Sequence, residues 1–426
     1  MDVVLTITIF VVSYIFLLLD KINRALVTIC GASLMVILGL FSWEFALSTY
    51  VDWSTIGLLF SMMVLISITE RTGVFEFSGM WMIKKVKGKP IPLLFWTGVL
   101  VAIGSAFLSN VTLVLLFVPI LLNIIKPLNL PAFPYLVMVI ISCNIGGAAT
   151  LIGDPPNLLI GQAVAEFNFL TFIIHLMPIV AIIFAITLGL LIILFRKSLV
   201  HHKKLSKEEI SRINPKGVLI KTPLLYQSVT ILILTMLAFS FQSILHVELV
   251  TISIIAALLL LLLSENDEKA EIVFQKAEWT TLFFFIGLFV LVGGLDSVGI
   301  IDQIALAFLN WTDGDPHTSS QVMLWSSGIL SGFVDNIPFV AAMIPVVFEF
   351  QEAGMTPINP LWWALALGAC LGGNATLIGS SSNIVVAGLA STFKEPIPFL
   401  KYMKYGISIV ILSLAISSAY IYIRYF

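Results

Sequence analysis

Two carboxylic acids interrupt otherwise apolar stretches of this 426-residue chain: Asp154 in GGAATLIGDPPN (146–157) and Asp335 in SGFVDNIP (331–338). An acid surrounded by so much apolar sequence is costly, and its usual reason for being there is to bind an ion or carry a proton. Asn157 and Asn336 stand beside the two acids, and a further polar pair, Ser109-Asn110, interrupts another apolar stretch. Asn offers a carbonyl ligand and an amide donor from one side chain, which suits a small cation or a polar solute. The chemistry on offer is reversible binding, with Na+ placed by Asn110, Asn336 and Asp335, or with protons on the two acids. A hydrolase is disfavoured, because His175 and His246 stand far from these motifs and no nucleophile–His–acid set appears. His201 and His202 fall in a basic stretch, 196–221, that reads as a solvated linker.

The elements that must hold these residues repeat. Residues 279 and 281 (Trp, Thr) match Trp53 and Thr55 at an offset of 226, and Asp296 and Gly299 match Glu70 and Gly73. Ser331, Phe333, Asn336 and Pro345 match Ser105, Phe107, Asn110 and Pro119 at the same offset. GGNATLIGSSSN (372–383) matches GGAATLIGDPPN (146–157) at eight of twelve positions, where composition alone would give roughly one. The acids are not repeat partners: Asp154 matches Ser380, and Asp335 matches Ser109. Each half therefore contributes one acid to an asymmetric site.

Gly and Pro at membrane depth should break the helices that contain them. A broken helix exposes free N–H groups at one new end and free C=O groups at the other, which favour anions and cations respectively. The candidate binding residues of the first half are Ser109, Asn110, Asn144, Gly146, Gly147, Thr150, Gly153, Asp154 and Asn157. Those of the second are Asp335, Asn336, Gly372, Gly373, Asn374, Thr376, Ser380 and Asn383. Asp154 and Asp335 also stand where helix N-caps belong. No Lys or Arg falls among these residues, so a neutral hydroxylated solute suits the site better than a bare anion.

Composition agrees. The chain is 59% apolar and 11% charged, with a mean hydropathy of +1.07, against about 25% charged for a soluble domain. Soluble enzymes, nucleic-acid binders, disordered chains and disulfide scaffolds are excluded together, and an all-α polytopic membrane protein remains. At about 20 residues per crossing, spans are expected at 3–19, 25–41, 54–70, 134–165 (interrupted), 169–195, 225–245, 247–263, 279–295, 361–390 (interrupted) and 405–423. Stretches 91–125 and 322–350 read as re-entrant hairpins with tips at 109–110 and 335–336. Of the 22 Lys and Arg, all but Arg424 fall on one side of this scheme, so that side is cytoplasmic and both termini face out. Residues 75–89 and 301–311 suit helices lying along the two surfaces. The first 19 residues lack a basic leader and read as a retained span.

Five crossings plus one hairpin per half make an inverted-topology repeat (1–195 and 223–426, joined by a cytoplasmic linker at 196–222), a plan common among secondary transporters. Cys30, Cys143 and Cys370 form no disulfide framework. Cys143 and Cys370 read as small buried hydrophobes, with contact to a soft solute such as arsenite as the alternative.

NIGGAATLIGDPPN (144–157), DNIPFVAAMIP (335–345) and LGGNATLIGSSSN (371–383) resemble the ion transporter superfamily of ArsB-type arsenite permeases, the P protein, NhaD-type sodium/proton antiporters and divalent anion/sodium symporters. The resemblance spans the chain and is nearest the P protein and ArsB-like branch. It implies a scaffold and a mobile transport domain, elevator-like movement, a homodimer in the plasma membrane, and substrate and coupling ions held by hairpin tips and broken helices. Dicarboxylate symporters carry Ser-Asn-Thr at the tips, where Val111 and Ile337 take the third place here. The P-type branch often has Asp-Asn at the first tip, where this chain has Ser109-Asn110. The function expected is a permease for arsenite, antimonite or a related small anion, coupled to H+ or Na+. A Na+/H+ antiporter and a passive anion channel are the alternatives. No nucleotide-binding motif is present, so drive by ATP would need a partner ATPase.

Overall fold

A computed structural model describes residues 2–19, 21–86, 89–126, 129–199, 217–264 and 270–426. His201, His202 and most of the expected linker lie outside them. Among the described residues all regular structure is helical. The first half runs α1 (Asp2–Leu19), α2 (Arg24–Ile37), α3 (Trp43–Thr49), α4 (Trp53–Glu70), α5 (Val74–Val86), α6 (Pro90–Phe107), α7 (Asn110–Ile125), α8 (Ala132–Gly147), α9 (Pro155–Ala163), α10 (Phe169–His175) and α11 (Met177–Leu199). The second runs α12 (Pro223–Ser240), α13 (Gln242–Leu245), α14 (Leu249–Ser264), α15 (Ala270–Gln275), α16 (Trp279–Ser297), α17 (Ile300–Trp311), α18 (Pro316–Ser331), α19 (Asn336–Glu352), α20 (Asn359–Gly372), α21 (Ser381–Thr392) and α22 (Phe399–Tyr425).

Local chemistry sets these boundaries. Asn23, Ser42 and Asp52 accept hydrogen bonds from the first-turn amides of α2, α3 and α4. Proline stands in the first turn of α6, α9, α12, α18 and α20, where its missing N–H costs nothing.

Helices α4, α6, α11, α12, α16 and α22 are long and apolar enough to cross a membrane. Helix α6 is one arm of an expected re-entrant hairpin, so that arm reaches further than the hairpin reading required. The span expected at 25–41 is shorter than a crossing: α2 has 14 residues, about 21 Å at 1.5 Å per residue. It ends because Gly39 turns with φ +78° and sends the chain into α3. The chain expected to cross at 169–195 is split at His175 into α10 and α11.

Helices at matching repeat positions exchange partners across the halves. Helix α2 packs on α16 as α14 packs on α4, and α7 packs on α21 as α19 packs on α9. Within each half α6 packs on α8, and α18 on α20. The interrupted helices α8 and α20 are buried along nearly their whole length, which places both helix breaks at the centre of the protein.

Candidate functional site

Both glycine-rich segments break their helices. Helix α8 stops at Gly147 and α9 starts at Pro155, while α20 stops at Gly372 and α21 starts at Ser381. The two loops are tied by matching bonds. Asn157 Nδ2 donates to the Thr150 carbonyl at 2.9 Å, and Asn383 Nδ2 donates to the Thr376 carbonyl at 3.0 Å. Thr150 Oγ1 donates to the Ala106 carbonyl, and Thr376 Oγ1 to that of Gly332. Ser105 and Ser331 donate in the same way to Cys143 and Ala369. The loops are thereby fastened to the hairpins, and the Thr150 and Thr376 carbonyls are paired within the protein. Glycine is required where the two strands of each loop touch: a Cβ at Gly153 would lie 2.6 Å from the Gly147 carbonyl oxygen, and one at Gly379 would lie 2.8 Å from that of Gly373.

The hairpin tips meet these breaks. Ser105 Oγ, whose proton goes to the Cys143 carbonyl, also lies against the Asn110 side-chain amide at the first tip. At the second, Asn336 Nδ2 donates to Asp154 Oδ2 at 3.2 Å. Asp154 stands at the N-cap of α9 without accepting a capping bond. Asp335 divides its two oxygens: Oδ1 caps α19 through the Ile337 amide at 3.1 Å, and Oδ2 receives the Ser381 hydroxyl at 2.6 Å. Asn144 sits between the halves, donating to Asn374 Oδ1 and Asn383 Oδ1, each at 3.0 Å. Asn110 and Asn374 each keep a buried amide nitrogen without a hydrogen-bond partner.

The expectation that no Lys or Arg enters the site is wrong. The guanidinium of Arg24 pairs with Asp335 Oδ2 and donates to Ser381 Oγ at 2.5 Å. The pair is 17% and 9% exposed. Arg24 was expected just before a full span, on the basic side. Because α2 is short and begins at the second tip, its first residue is brought inside.

A cavity of about 80 Å³ lies where these elements meet. Ser109, Asn110, Asp154, Asn336 and Ser380 line it, together with Arg24, Glu278, Ser381 and Ser382. A space that size exceeds one water. Asp335 borders a smaller pocket that shares Arg24 and Phe284 with the cavity. The other candidates, Asn144, Gly146, Gly147, Thr150, Gly153, Asn157, Gly372, Gly373, Asn374, Thr376 and Asn383, are not among the residues that line it. Cys143 and Cys370 are fully buried outside the lining.

Arg24, Glu278 and Ser381 were missed by sequence reasoning. Glu278 carried a signal, since its repeat partner Asp52 is the acid preceding Trp53. Here Glu278 receives Thr112 Oγ1 at 3.0 Å and Thr281 Oγ1 at 3.1 Å. Arg24 had none, because its repeat partner is Val250.

The family described as citrate transporter matches residues 14–368. The chain belongs to that family. This transporter is 36% identical to the "46 kDa membrane protein" of Mycobacterium leprae over 99% of both chains. It is 29% identical to the mouse P protein over 97% of this chain and 59% of that one, which agrees with the branch expected from its motifs. The YdaH transporter of Alcanivorax borkumensis shares the fold at a TM-score of 0.61 and 12% identity, over 94% of this chain and 98% of that one. The transporter is a multi-pass membrane protein by family and by its apolar helices.

Proposed function

We propose that this transporter is a secondary carrier coupling H+ or Na+ to a small oxyacid or oxyanion, with arsenite or antimonite and small carboxylates as the candidate cargoes. One observation carries the proposal: both hairpin tips and both helix breaks converge on a single cavity that holds Asp154, Glu278 and Arg24, with Asp335 at its edge. Three acids against one guanidinium favour a cation. Asn, Ser and the guanidinium provide donors for an oxygen-rich solute. The argument for a strictly neutral solute falls with Arg24, so anionic forms are admitted. Citrate, named in the family's description, carries three carboxylates, and one guanidinium cannot balance them unless cations accompany it.

The helix pairings support an inverted repeat, in which the hairpins and broken helices move as a transport domain against α2, α4, α14 and α16. The homodimer, the plasma-membrane location with both termini outside, and the boundaries 1–195, 196–222 and 223–426 belong to the same proposal.

Purified protein in vesicles tests it, with labelled arsenite and labelled citrate offered under a Na+ gradient and under a pH gradient. Cargo accumulated against its own gradient is the expected result. The excess of acids favours a second reading, Na+/H+ exchange, which would show as Na+-driven pH change without cargo. Flux of cargo that runs only downhill and does not saturate would establish a channel and overturn both.

A further inference from the structure

We propose that Arg24 is the residue that holds an anionic cargo, and that Asp335 retains it until a coupling cation takes its place. This rests on the reading above, that one site loads both cargo and cation.

The guanidinium serves two directions from one position. It contacts Asp335 Oδ2 and Ser381 Oγ, so it joins the start of α2 to the second hairpin tip and to the start of α21. It also faces the cavity with Ser109, Asn110, Asn336 and Ser380. A planar guanidinium matches a carboxylate or another oxyanion with paired N–H donors, and a small anion in the cavity offers the oxygens that Asp335 now offers.

The repeat isolates the pair. At the matching positions of the other half, Val250 replaces Arg24 and Ser109 replaces Asp335. Both charges are therefore absent together where the equivalent helix packing persists, α14 on α4 as α2 on α16. Packing does not need the pair, which leaves a role in binding.

Charge dictates the order of events. Separating the pair with nothing in exchange strands two charges in a poorly solvated site. A cation at Asp335 together with an anion at Arg24 leaves neither stranded, so cargo and cation enter together. The other charged groups at this site, Asp154 and Glu278, are both acids, and the neighbouring Tyr14 hydroxyl of α1 is engaged with the Pro338 carbonyl at 2.7 Å. Arg24 is thus the positive group on the cavity wall.

The test uses full-length protein, with citrate and arsenite as probe anions and Na+ or pH as the probe cation. Arg24→Gln should raise the KM for the transported anion at least tenfold with a smaller change in kcat. It should also lower the half-saturating Na+ or proton concentration about tenfold, read as ligand-induced thermal stabilisation without anion. Arg24→Lys should keep the cation response near wild type and give an intermediate anion KM. Asp335→Asn should lower the anion KM while abolishing its cation dependence, and it remains informative if Arg24→Gln folds poorly. Equal weakening of anion and cation in Arg24→Gln, or an unchanged anion KM in Asp335→Asn, would overturn the proposal. Failure of the parent reading looks different: wild-type protein moves neither probe anion under any gradient, while the cation response of Arg24→Gln still reports on the pair.

Discussion

Asn336 and Asp154, 182 residues apart in the chain, are joined by a 3.2 Å hydrogen bond from the asparagine amide to the aspartate Oδ2. The bond brings the second hairpin tip to the first broken helix, so each half completes the other's site. Asp154 is buried at 2% exposure and is not spent on capping α9. Its carboxylate is available for a cation, and this has a consequence for coupling.

Asp154→Asn keeps the shape and still accepts from Asn336, but it cannot hold a proton or balance a cation. Cation-dependent transport should fall at least tenfold, equivalent to about 1.4 kcal/mol, with little loss of thermal stability. Uptake under a fixed gradient, compared with melting in detergent, measures the two separately. Wild-type coupling in this variant would remove Asp154 from the ion path.

Asn157 and Asn383 act on the loops instead. Each donates to carbonyls of its own glycine-rich loop, at 2.9 Å to Thr150 and 3.0 Å to Thr376. Alanine at either position leaves buried carbonyls unpaired, a cost of about 1–3 kcal/mol. A lowered melting temperature is expected for both variants. Unchanged melting would show that these asparagines do not fasten the loops.

Gly153→Ala and Gly379→Ala should reduce the yield of folded protein sharply, because the new Cβ meets loop backbone that has no room to retreat. Gly189→Ala and Gly388→Ala are matched controls, since a Cβ at either position meets nothing within 4 Å. Both lie within helices, where alanine is favoured over glycine. Size-exclusion profiles of the four variants give the comparison.

Cys143 and Cys370 are fully buried behind the cavity. Neither should react with maleimide until the protein is denatured. Cys143→Ala and Cys370→Ala should each change arsenite uptake by no more than about twofold, or about 0.4 kcal/mol. A larger loss confined to arsenite, with other cargo unaffected, would restore the thiols as soft ligands.

Much of this architecture was legible because membrane insertion constrains sequence strongly. A chain that is 59% apolar must cross the bilayer as helices. Glycines at matching places in the two halves, joined by Pro155 and Pro156 in the first, interrupt those helices, and both interruptions lie where the motifs stand. The hairpin tips were equally legible, since Asn110 and Asn336 open α7 and α19. Helix lengths were less so: 25–41 reads as one apolar run, yet the turn at Gly39 divides it.

From sequence alone came the membrane class, the repeat, the two breaks and two of the acids in the site, because composition and periodicity are local properties of the chain. Only the folded structure disclosed that Arg24 pairs with Asp335 and that Glu278 reaches the cavity. Those contacts join residues more than 100 positions apart, and no local pattern records which helix ends will meet once α2 and α16 pack together. The charge of the site, and with it the kind of solute it can hold, was decided by that packing.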